Sequence, residues 1–413
     1  MSVSGFARRR HVGLVLVALV IFSFGINAGV RLPCHDVCGS DIGRAYRDRG
    51  IDRGHPPFLD RDFEYPPLIG EVMYAATLPV DHGSRWPFLL NALVLTSLAA
   101  ATTWMLWRRF GRRTRRWALA PPLLVQGLTN WDLLAVAPAT IGLLEWEAGH
   151  ALLAGALFGA GTAAKLFPAL YVPILAASCA TMPRWRQAGR MVAGFLLGLG
   201  AFVLPVYAIA PRALGYFIQF HSERLPSRGS ILFYVFRDAA MSRWLPAVQE
   251  ARVTTIVATL TLTIALVALI AQTARGRLVP VAACALATTA FIVTNKIYSP
   301  QYDLWLVPFL AMLPVRTKLV VHLYASSFAV WALTAAAPNI ASSPMSLYLV
   351  GAAVIYRFGV LVLLAREFMA VEAPDELTMG AATVTTASET PGPSRPRSVW
   401  ASEIRANLND PSD

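Results

Sequence analysis

Long apolar runs separated by short polar segments make up most of the 413-residue chain. The first run, residues 12–30, is long enough to cross about 30 Å of hydrocarbon at about 1.5 Å per residue. The pattern predicts an all-α polytopic membrane protein with about 12 transmembrane helices. The predicted spans are residues 12–30, 87–107, 118–129, 132–145, 149–164, 166–181, 191–210, 253–272, 278–294, 303–315, 319–336 and 346–365.

The composition supports the bilayer as the surrounding solvent. Hydrophobic residues make up 56% of the chain and charged residues 15%, which would leave too much apolar surface facing water in a soluble domain. The net charge of +12 could suggest nucleic acid. The arginines, however, lie in short loops at the ends of apolar runs and form no single stripe, so membrane lipids are expected as partners and nucleic acid is not.

The distribution of arginine predicts an orientation in the cell membrane. If residues 1–11 are cytoplasmic, each successive span crosses the membrane in the opposite direction to the one before. This places Arg108–Arg116 and the other arginine-rich short loops on the cytoplasmic side. If Leu68–Val80 crossed, Arg108–Arg116 would move outside, so Leu68–Val80 is predicted to be an interfacial helix in the first outer loop. Residues 12–365 are thus a multi-pass domain. Residues 366–413, poor in large apolar side chains, are predicted to be a disordered cytoplasmic tail.

Two long outer loops, residues 31–86 and 211–252, carry most of the ionisable groups of the predicted outer face. A carboxylate there could act as a general base, and composition alone does not choose among the candidates. Most of them are expected to be solvated loop charges. The candidates in the first loop are Asp36, Asp41, Asp48, Asp52, Asp60, Asp62 and Glu64.

Lys165, within AAKLFP, and Lys296, within NKIYSPQY, are the two lysines predicted to face outward. Each lies at the rim of an apolar span. Such a lysine can extend to the lipid headgroups, or it can pair with a phosphate in a cavity at the membrane surface. Both interpretations remain open for these two residues.

Further polar groups cluster near the predicted outer ends of the spans. Asp132, in the NWD turn, can bond the turn backbone or serve a substrate. In FHSERLPSRGS, Arg224 could hold a phosphate through its planar guanidinium, with His221 beside it, or both residues could belong to a solvated loop. Tyr65, a further substrate-binding candidate, precedes two prolines, which favour an extended chain that turns into the membrane.

Two of the four cysteines, Cys34 and Cys38, lie in the first predicted outer loop. An oxidising location would allow a disulfide between them, and the sequence leaves the paired and free states open. A zinc site is less favoured because the motif lacks a second ligand pair at zinc spacing. No metal or other cofactor is expected.

Five motifs together resemble a known family. They are CGSDI after the first span, DFEYPPL before the interfacial segment, NWDLLAV, AAKLFPALYVP and NKIYSPQYDLWLVP. In this order along residues 10–365, they resemble the GT-C superfamily of polytopic glycosyltransferases. The similarity is greatest to glycosyltransferase family 87, the actinobacterial polyprenol-phosphate-mannose-dependent mannosyltransferases and their relatives.

The resemblance implies an inverting transfer of a sugar, mannose by family analogy, from a polyprenyl-phosphate donor to a glycolipid or polysaccharide hydroxyl at the outer face. It implies a GT-C-like bundle and an acidic base in the first outer loop, which corresponds to Asp41, with Glu64 as the second choice. Lys165, Lys296 or Arg224 would stabilise the departing phosphate. Gln301 and Tyr302 would orient the sugar or the acceptor.

Other classes of membrane protein share part of this pattern. A transporter or lipid flippase also has many spans with ionisable residues around a cavity. The absence of an evident internal repeat and the concentration of polar groups in the outer loops favour an enzyme. A noncatalytic membrane scaffold is the third possibility.

Overall fold

The computed structural model describes residues 3–32, 40–59, 63–78, 85–181, 184–236, 246–340 and 344–371. Within these ranges the chain is helical and contains no β-strand. The α-helices are α1 Val3–Arg31, α2 Asp41–Asp48, α3 Pro67–Ala75, α4 Trp86–Phe110, α5 Arg115–Ala118, α6 Pro121–Gln126, α7 Leu133–Glu147, α8 Ala151–Ala164, α9 Tyr171–Ser178, α10 Trp185–Ile209, α11 Pro211–Glu223, α12 Ile231–Phe236, α13 Ala247–Ala274, α14 Pro280–Thr294, α15 Val307–Met312, α16 Thr317–Ile340 and α17 Pro344–Met369.

Five helical segments of the described chain are long and apolar enough to cross a bilayer. Shorter apolar segments, at 151–164, 167–178 and 280–294, add to the bundle. The all-helical membrane architecture is therefore confirmed, whereas the count of twelve spans stays a prediction. The run predicted at 118–129 contains α6, which is only six residues long. The five long segments are Arg10–Arg31, Trp86–Ala118, Trp185–Ile209, Ala247–Ala274 and Met345–Met369.

Helices α8 and α10 pack in parallel at very short range because glycines form their contact. A Cβ atom on Gly155 would lie 1.9 Å from the carbonyl oxygen of Met191, and one on Gly194 would lie 2.0 Å from that of Leu152. Small residues allow helix backbones to approach this closely in membranes. The parallel arrangement places the C-terminal ends of α8 and α10 at the same end of the bundle, where Lys165 follows α8 and α11 follows α10.

The two predicted outer loops contain helices. Residues 31–86 include α2 and α3, and residues 211–252 include α11, α12 and the first residues of α13. Ser40 is the N-cap of α2, and its Oγ accepts a hydrogen bond from the N–H of Ile42 at 3.2 Å and donates one to the carbonyl of Leu128 at 3.0 Å. The interfacial position of α3 stays a prediction. Cys34, Cys38, Asp36, Asp60, Asp62 and residues 372–413 lie outside the described residues.

A buried ion pair joins the last helix to the segment around residue 300. The guanidinium of Arg357, in α17, pairs with Asp303 and lies over the Tyr298 ring at 4.0 Å. The Tyr298 hydroxyl donates to Asp303 at 2.8 Å. A buried charge is tolerated when it is paired in this way. These contacts hold the 3-10 helix Pro300–Trp305 against the bundle.

Candidate active site

One cavity of about 680 Å³ lies between α2, the residues preceding α3, α11, α13 and the segment around residue 300. Its volume falls within the range of about 300–1,000 Å³ typical of small-molecule sites. It collects nine of the ten side chains predicted from the sequence, and the tenth, Asp132, lies behind its wall. The nine are Asp41, Glu64, Tyr65, Lys165, His221, Arg224, Lys296, Gln301 and Tyr302.

Asp41 begins α2, and its carboxylate faces the cavity. Its Oδ2 accepts a hydrogen bond from Nδ2 of Asn130 at 3.0 Å, while its backbone N–H donates to the carbonyl of Thr129 at 2.8 Å. The Asn130 side-chain oxygen accepts from the N–H of Trp131 at 2.7 Å, which fixes the orientation of the amide. The carboxylate is thus held at the cavity wall and accessible to a hydroxyl.

Glu64 occupies a different environment from Asp41. Its carboxylate pairs with the guanidinium of Arg49 at 2.7 Å, and its backbone carbonyl lies 3.2 Å from Nε2 of His221. Burial lowers the pKa of His221, and the nearby cations Arg224 and Lys165 add to this effect. His221 is therefore neutral near pH 7 and donates to the Glu64 carbonyl. The Glu64 carboxylate is engaged by Arg49, whereas that of Asp41 accepts from a neutral amide.

Lys165 and the fully buried Asp132 lie next to each other. Lys165 Nζ is 3.9 Å from Asp132 Oδ1 and 5.8 Å from the centroid of the Tyr65 ring. Asp132 Oδ1 accepts a hydrogen bond from Nε1 of Trp305 at 2.7 Å, and within the described chain Oδ2 has no hydrogen-bond partner. Asp132 thus supplies a counter-charge behind the cavity wall for an ammonium that faces the cavity.

The ammonium of Lys296 has three acceptors inside the protein. It donates to the carbonyl of Ser222 at 2.7 Å, to Oγ1 of Thr255 at 2.6 Å and to the carbonyl of Ala251 at 3.3 Å. Burial lowers its pKa to about 8, and the charge of Arg224 adds to this effect. Lys296 therefore ties the C-terminal end of α11 to α13, and it has no donor left for a phosphate.

Arg224, at the C-terminal end of α11, is the more exposed cation of the cavity. Its guanidinium lies over the Phe220 ring at 5.6 Å and, within the described residues, forms no hydrogen bond or ion pair. Arg44 of α2 is also exposed and lines the same cavity. The cavity therefore presents free guanidinium donors, which suit a phosphate.

An aromatic stack forms one wall. The Tyr302 ring stacks on Trp305 at 4.2 Å between centroids, and Trp305 stacks in turn on Phe167 at 4.5 Å. Burial raises the pKa of Tyr302, so its hydroxyl stays protonated and can donate a hydrogen bond. Burial does the same for Tyr65. Gln301, which is 5% exposed, adds an amide next to the stack.

An apolar wall lies beside these polar groups. Phe217 and Phe220 contribute from α11, and Ala258 and Leu262 contribute from α13. Helix α13 is a membrane-spanning candidate of which little is buried in the bundle, so this side of the cavity adjoins the surface that meets hydrocarbon. The cavity therefore combines a charged end with an apolar end.

Several cavity residues lie outside the ten predicted site residues, and one of them, Asp48, was among the seven carboxylate candidates of the first loop. Arg44 and Asp48 share one face of α2 with Asp41, at helical spacings of three and seven residues. That spacing is visible in the sequence, but a helix of only eight residues has a weak signal. Asn130 lies two residues before the predicted Asp132, in the same NWD turn. No local pattern in the sequence indicates Arg49 as a site residue, because its partner Glu64 is fifteen positions away.

Within the described residues, no three His, Cys, Asp or Glu side chains are grouped as a metal ion would require.

The fold and the cavity define a helical membrane protein whose largest described polar cluster lines a cavity with a charged end and an apolar end. The family model of glycosyltransferase family 87 matches residues 63–294, more than half of the chain. The chain belongs to this family and is a membrane glycosyltransferase. The matched range includes Glu64, Lys165 and Arg224, whereas Asp41 and the segment from Asn295 onward lie outside it. No curated protein and no solved structure matches the chain.

Proposed function

We propose that this glycosyltransferase moves a sugar from a polyprenyl-phosphate donor to a hydroxyl of an envelope glycolipid or polysaccharide, with inversion at the anomeric carbon. The observation that carries the proposal is the single cavity that holds the Asp41 carboxylate, free cationic groups and an apolar wall next to the membrane surface. Mannose as the sugar rests on the resemblance of the sequence motifs to the polyprenol-phosphate-mannose enzymes of the family.

In the proposed reaction, Asp41 accepts the proton of the acceptor hydroxyl as its oxygen forms a bond to the anomeric carbon. The bond from that carbon to the phosphate oxygen breaks, and the polyprenyl phosphate leaves with the bonding electrons. Positioned proton transfer of this kind contributes about 10²- to 10⁴-fold to the rate. Asp41 is preferred over Glu64 because Arg49 engages the Glu64 carboxylate at 2.7 Å.

The departing phosphate needs cationic groups whose N–H donors the protein does not already use. Lys165 and Arg224 meet this requirement, because both line the cavity and neither donates a hydrogen bond within the described residues. We assign the phosphate contact to these two residues. Lys296, the third predicted candidate, supports the site by holding α11 to α13.

The apolar wall of α11 and α13 would take the first isoprene units of the donor, while the rest of the chain stays in the hydrocarbon. Gln301, Tyr302 and Tyr65 would orient the sugar or acceptor by hydrogen bonds, and an aromatic ring such as Tyr302 offers a flat surface for a sugar. The distribution of arginine supports an active site on the extracytoplasmic face of the cell membrane, with both chain termini in the cytoplasm.

The test is donor-dependent release of polyprenyl phosphate by the purified protein in detergent or nanodiscs, with polyprenyl-phosphate mannose as donor and membrane glycolipids as acceptor. Asp41→Asn is expected to lose about 10²- to 10⁴-fold in kcat, because the amide cannot accept the proton. Asp48→Asn is the matched control, since it removes a carboxylate from the same face of α2. A variant Asp41→Asn with parental turnover, alongside an inactive Glu64→Gln, would move the base to Glu64.

A further inference from the structure

A second cavity, of about 460 Å³, lies at the opposite end of α8 and α10 from the candidate active site. Helix α10 has 25 residues and is therefore about 37 Å long. The second cavity adjoins its first turn, whereas the candidate site adjoins α11, which follows its last turn. The two cavities are separate. The second is lined by Gly149, Ala151, Arg184, Trp185, Arg186, Gln187 and Arg190.

The cavity is strongly basic. Arg184, Arg186 and Arg190 are all exposed, and within the described residues none of their guanidinium groups forms a hydrogen bond or an ion pair. The two acids at the adjoining end of α7 interact elsewhere. Glu145 bonds to Nδ1 of His150 at 2.6 Å, and Glu147 interacts electrostatically with Arg109. Three unneutralised guanidinium groups around one concavity suit a phosphate, which they can bind in a bidentate manner.

The surface of α10 beyond the arginines is apolar and exposed. Leu197 and Leu204 follow Arg190 at spacings of seven and fourteen residues, so they continue the same face of the helix. They are 68% and 64% exposed. Trp185, at the start of the helix, is 60% exposed, as is typical of an aromatic ring at the headgroup layer. The basic cavity thus adjoins an exposed apolar face of α10.

We infer that this second cavity is a binding site for the phosphate of an anionic phospholipid, whose acyl chains lie along the exposed face of α10. Arginines at the end of a membrane helix also arise from the orientation of the protein alone. The arrangement here differs because the three side chains line one cavity and the apolar face continues from them. An occupant would contact α8 and α10, which lead at their other ends to Lys165 and to α11 of the candidate site.

Two further arginines at this end of the bundle, Arg275 and Arg277, provide a matched comparison. Arg275 and Arg277 follow α13, and a Cβ on Gly276 between them would lie 3.2 Å from Cγ2 of Thr181, beyond α9. They are therefore at the same end of the protein as Arg186 and Arg190. They do not line the cavity. Replacing either pair by glutamine removes the same charge.

The experiment is native mass spectrometry of delipidated, full-length protein titrated with phosphatidylglycerol or phosphatidylcholine. We expect phosphatidylglycerol to bind in preference to phosphatidylcholine. Arg186→Gln/Arg190→Gln is expected to weaken phosphatidylglycerol binding by on the order of 10-fold or more, because each arginine near an anionic lipid surface contributes appreciably. Arg275→Gln/Arg277→Gln should leave it within about 2-fold of the parent, since those side chains lie outside the cavity.

Three outcomes would overturn the inference. Equal weakening by the two double variants would mean that general surface charge, and no particular cavity, attracts the lipid. Equal binding of the two lipids would mean that the net negative charge of the headgroup is not recognised, because phosphatidylcholine carries the same phosphate together with a compensating choline cation. Full displacement of phosphatidylglycerol by equimolar inorganic phosphate would identify a free anion as the occupant. Because donor turnover is not measured, failure here leaves the proposed glycosyl transfer untouched.

Discussion

The Asn130 side chain donates a hydrogen bond of 3.0 Å to the carboxylate of Asp41, although the two residues are 89 positions apart. Asn130 lies in the turn before α7, and Asp41 begins α2, whose cap Ser40 also bonds to that turn through the carbonyl of Leu128. The turn therefore positions the whole start of α2. The proposed base is held by structure outside its own segment.

Removing this contact tests the position of the base. Asn130→Ala is expected to lower kcat by about 10- to 100-fold with little change in donor KM, because a hydrogen bond to a charged group contributes about 1.5–3 kcal/mol and each 1.36 kcal/mol corresponds to a tenfold change in rate. Steady-state kinetics with varied donor give both constants. In the Asp41→Asn background the same substitution should cost almost nothing further, because residues that act together are not additive. Two independent, additive losses would contradict the coupling.

A guanidinium beside the proposed phosphate position gives the second prediction. Arg224→Gln is expected to raise the donor KM and lower kcat, together by about 10-fold or more in kcat/KM, because a charge-assisted contact with the leaving phosphate is lost. Arg228→Gln is the matched control, since Arg228 is exposed, four residues away and not part of the cavity. Donor titrations at saturating acceptor separate the two variants. Parallel effects of both would assign Arg224 to a general surface potential.

Much of the architecture could be predicted from the sequence because the bilayer imposes a simple requirement of length and apolarity. The predicted run at 191–210 corresponds to α10, and that at 253–272 to α13. The short helix α2 was missed within a predicted loop, because eight residues with four charged side chains show no apolar run. Its stability depends on the Ser40 cap and on packing with residues far away in the sequence.

Nine of the ten candidate residues line one cavity, whereas their individual contacts could not be predicted from the sequence. Lys165 and Lys296, rare ionisable residues near span ends, both line this cavity. Their different environments depend on partners that no local pattern reveals. Lys296 donates to the carbonyl of Ser222, 74 positions away, whereas Lys165 lies 3.9 Å from a buried carboxylate. Tertiary contacts thus separate two lysines that appear equivalent in the sequence.

The buried ammonium of Lys296 predicts a pH dependence of stability. Its pKa is lowered from the ordinary 10.5 to about 8 in the folded protein. Between these values the unfolded chain keeps a proton that the folded chain has released, so stability rises with pH through this window. Below pH 8 both states are protonated and this gain is absent. The parent is therefore expected to gain stability between pH 7.5 and 9.5 relative to Lys296→Met, which lacks the group.

Thermal unfolding of both proteins in detergent at the two pH values measures the difference. At pH 7.5 Lys296→Met is also expected to be less stable than the parent by about 1–3 kcal/mol, because the buried acceptors of Lys296 lose their donor. Lys318→Met, which replaces an exposed lysine, is the control for general effects of lysine removal. A gap between the parent and Lys296→Met that narrows on raising the pH would contradict the predicted sign.

The glycine contact between α8 and α10 gives the last prediction. Gly194→Ala would place a Cβ 2.0 Å from the carbonyl oxygen of Leu152, and because that atom belongs to a helix backbone the two helices must separate. Overpacking of this kind costs about 1–3 kcal/mol, so a lower Tm is expected.

The control is Gly189→Ala, in the same helix, whose added Cβ meets no atom within 4 Å. It should raise stability by up to about 1 kcal/mol, because alanine has the higher helix propensity. Since Lys165 follows α8 and α11 follows α10, Gly194→Ala should also lower turnover. Equal Tm values for the two variants would mean that α8 and α10 do not pack this closely in the membrane.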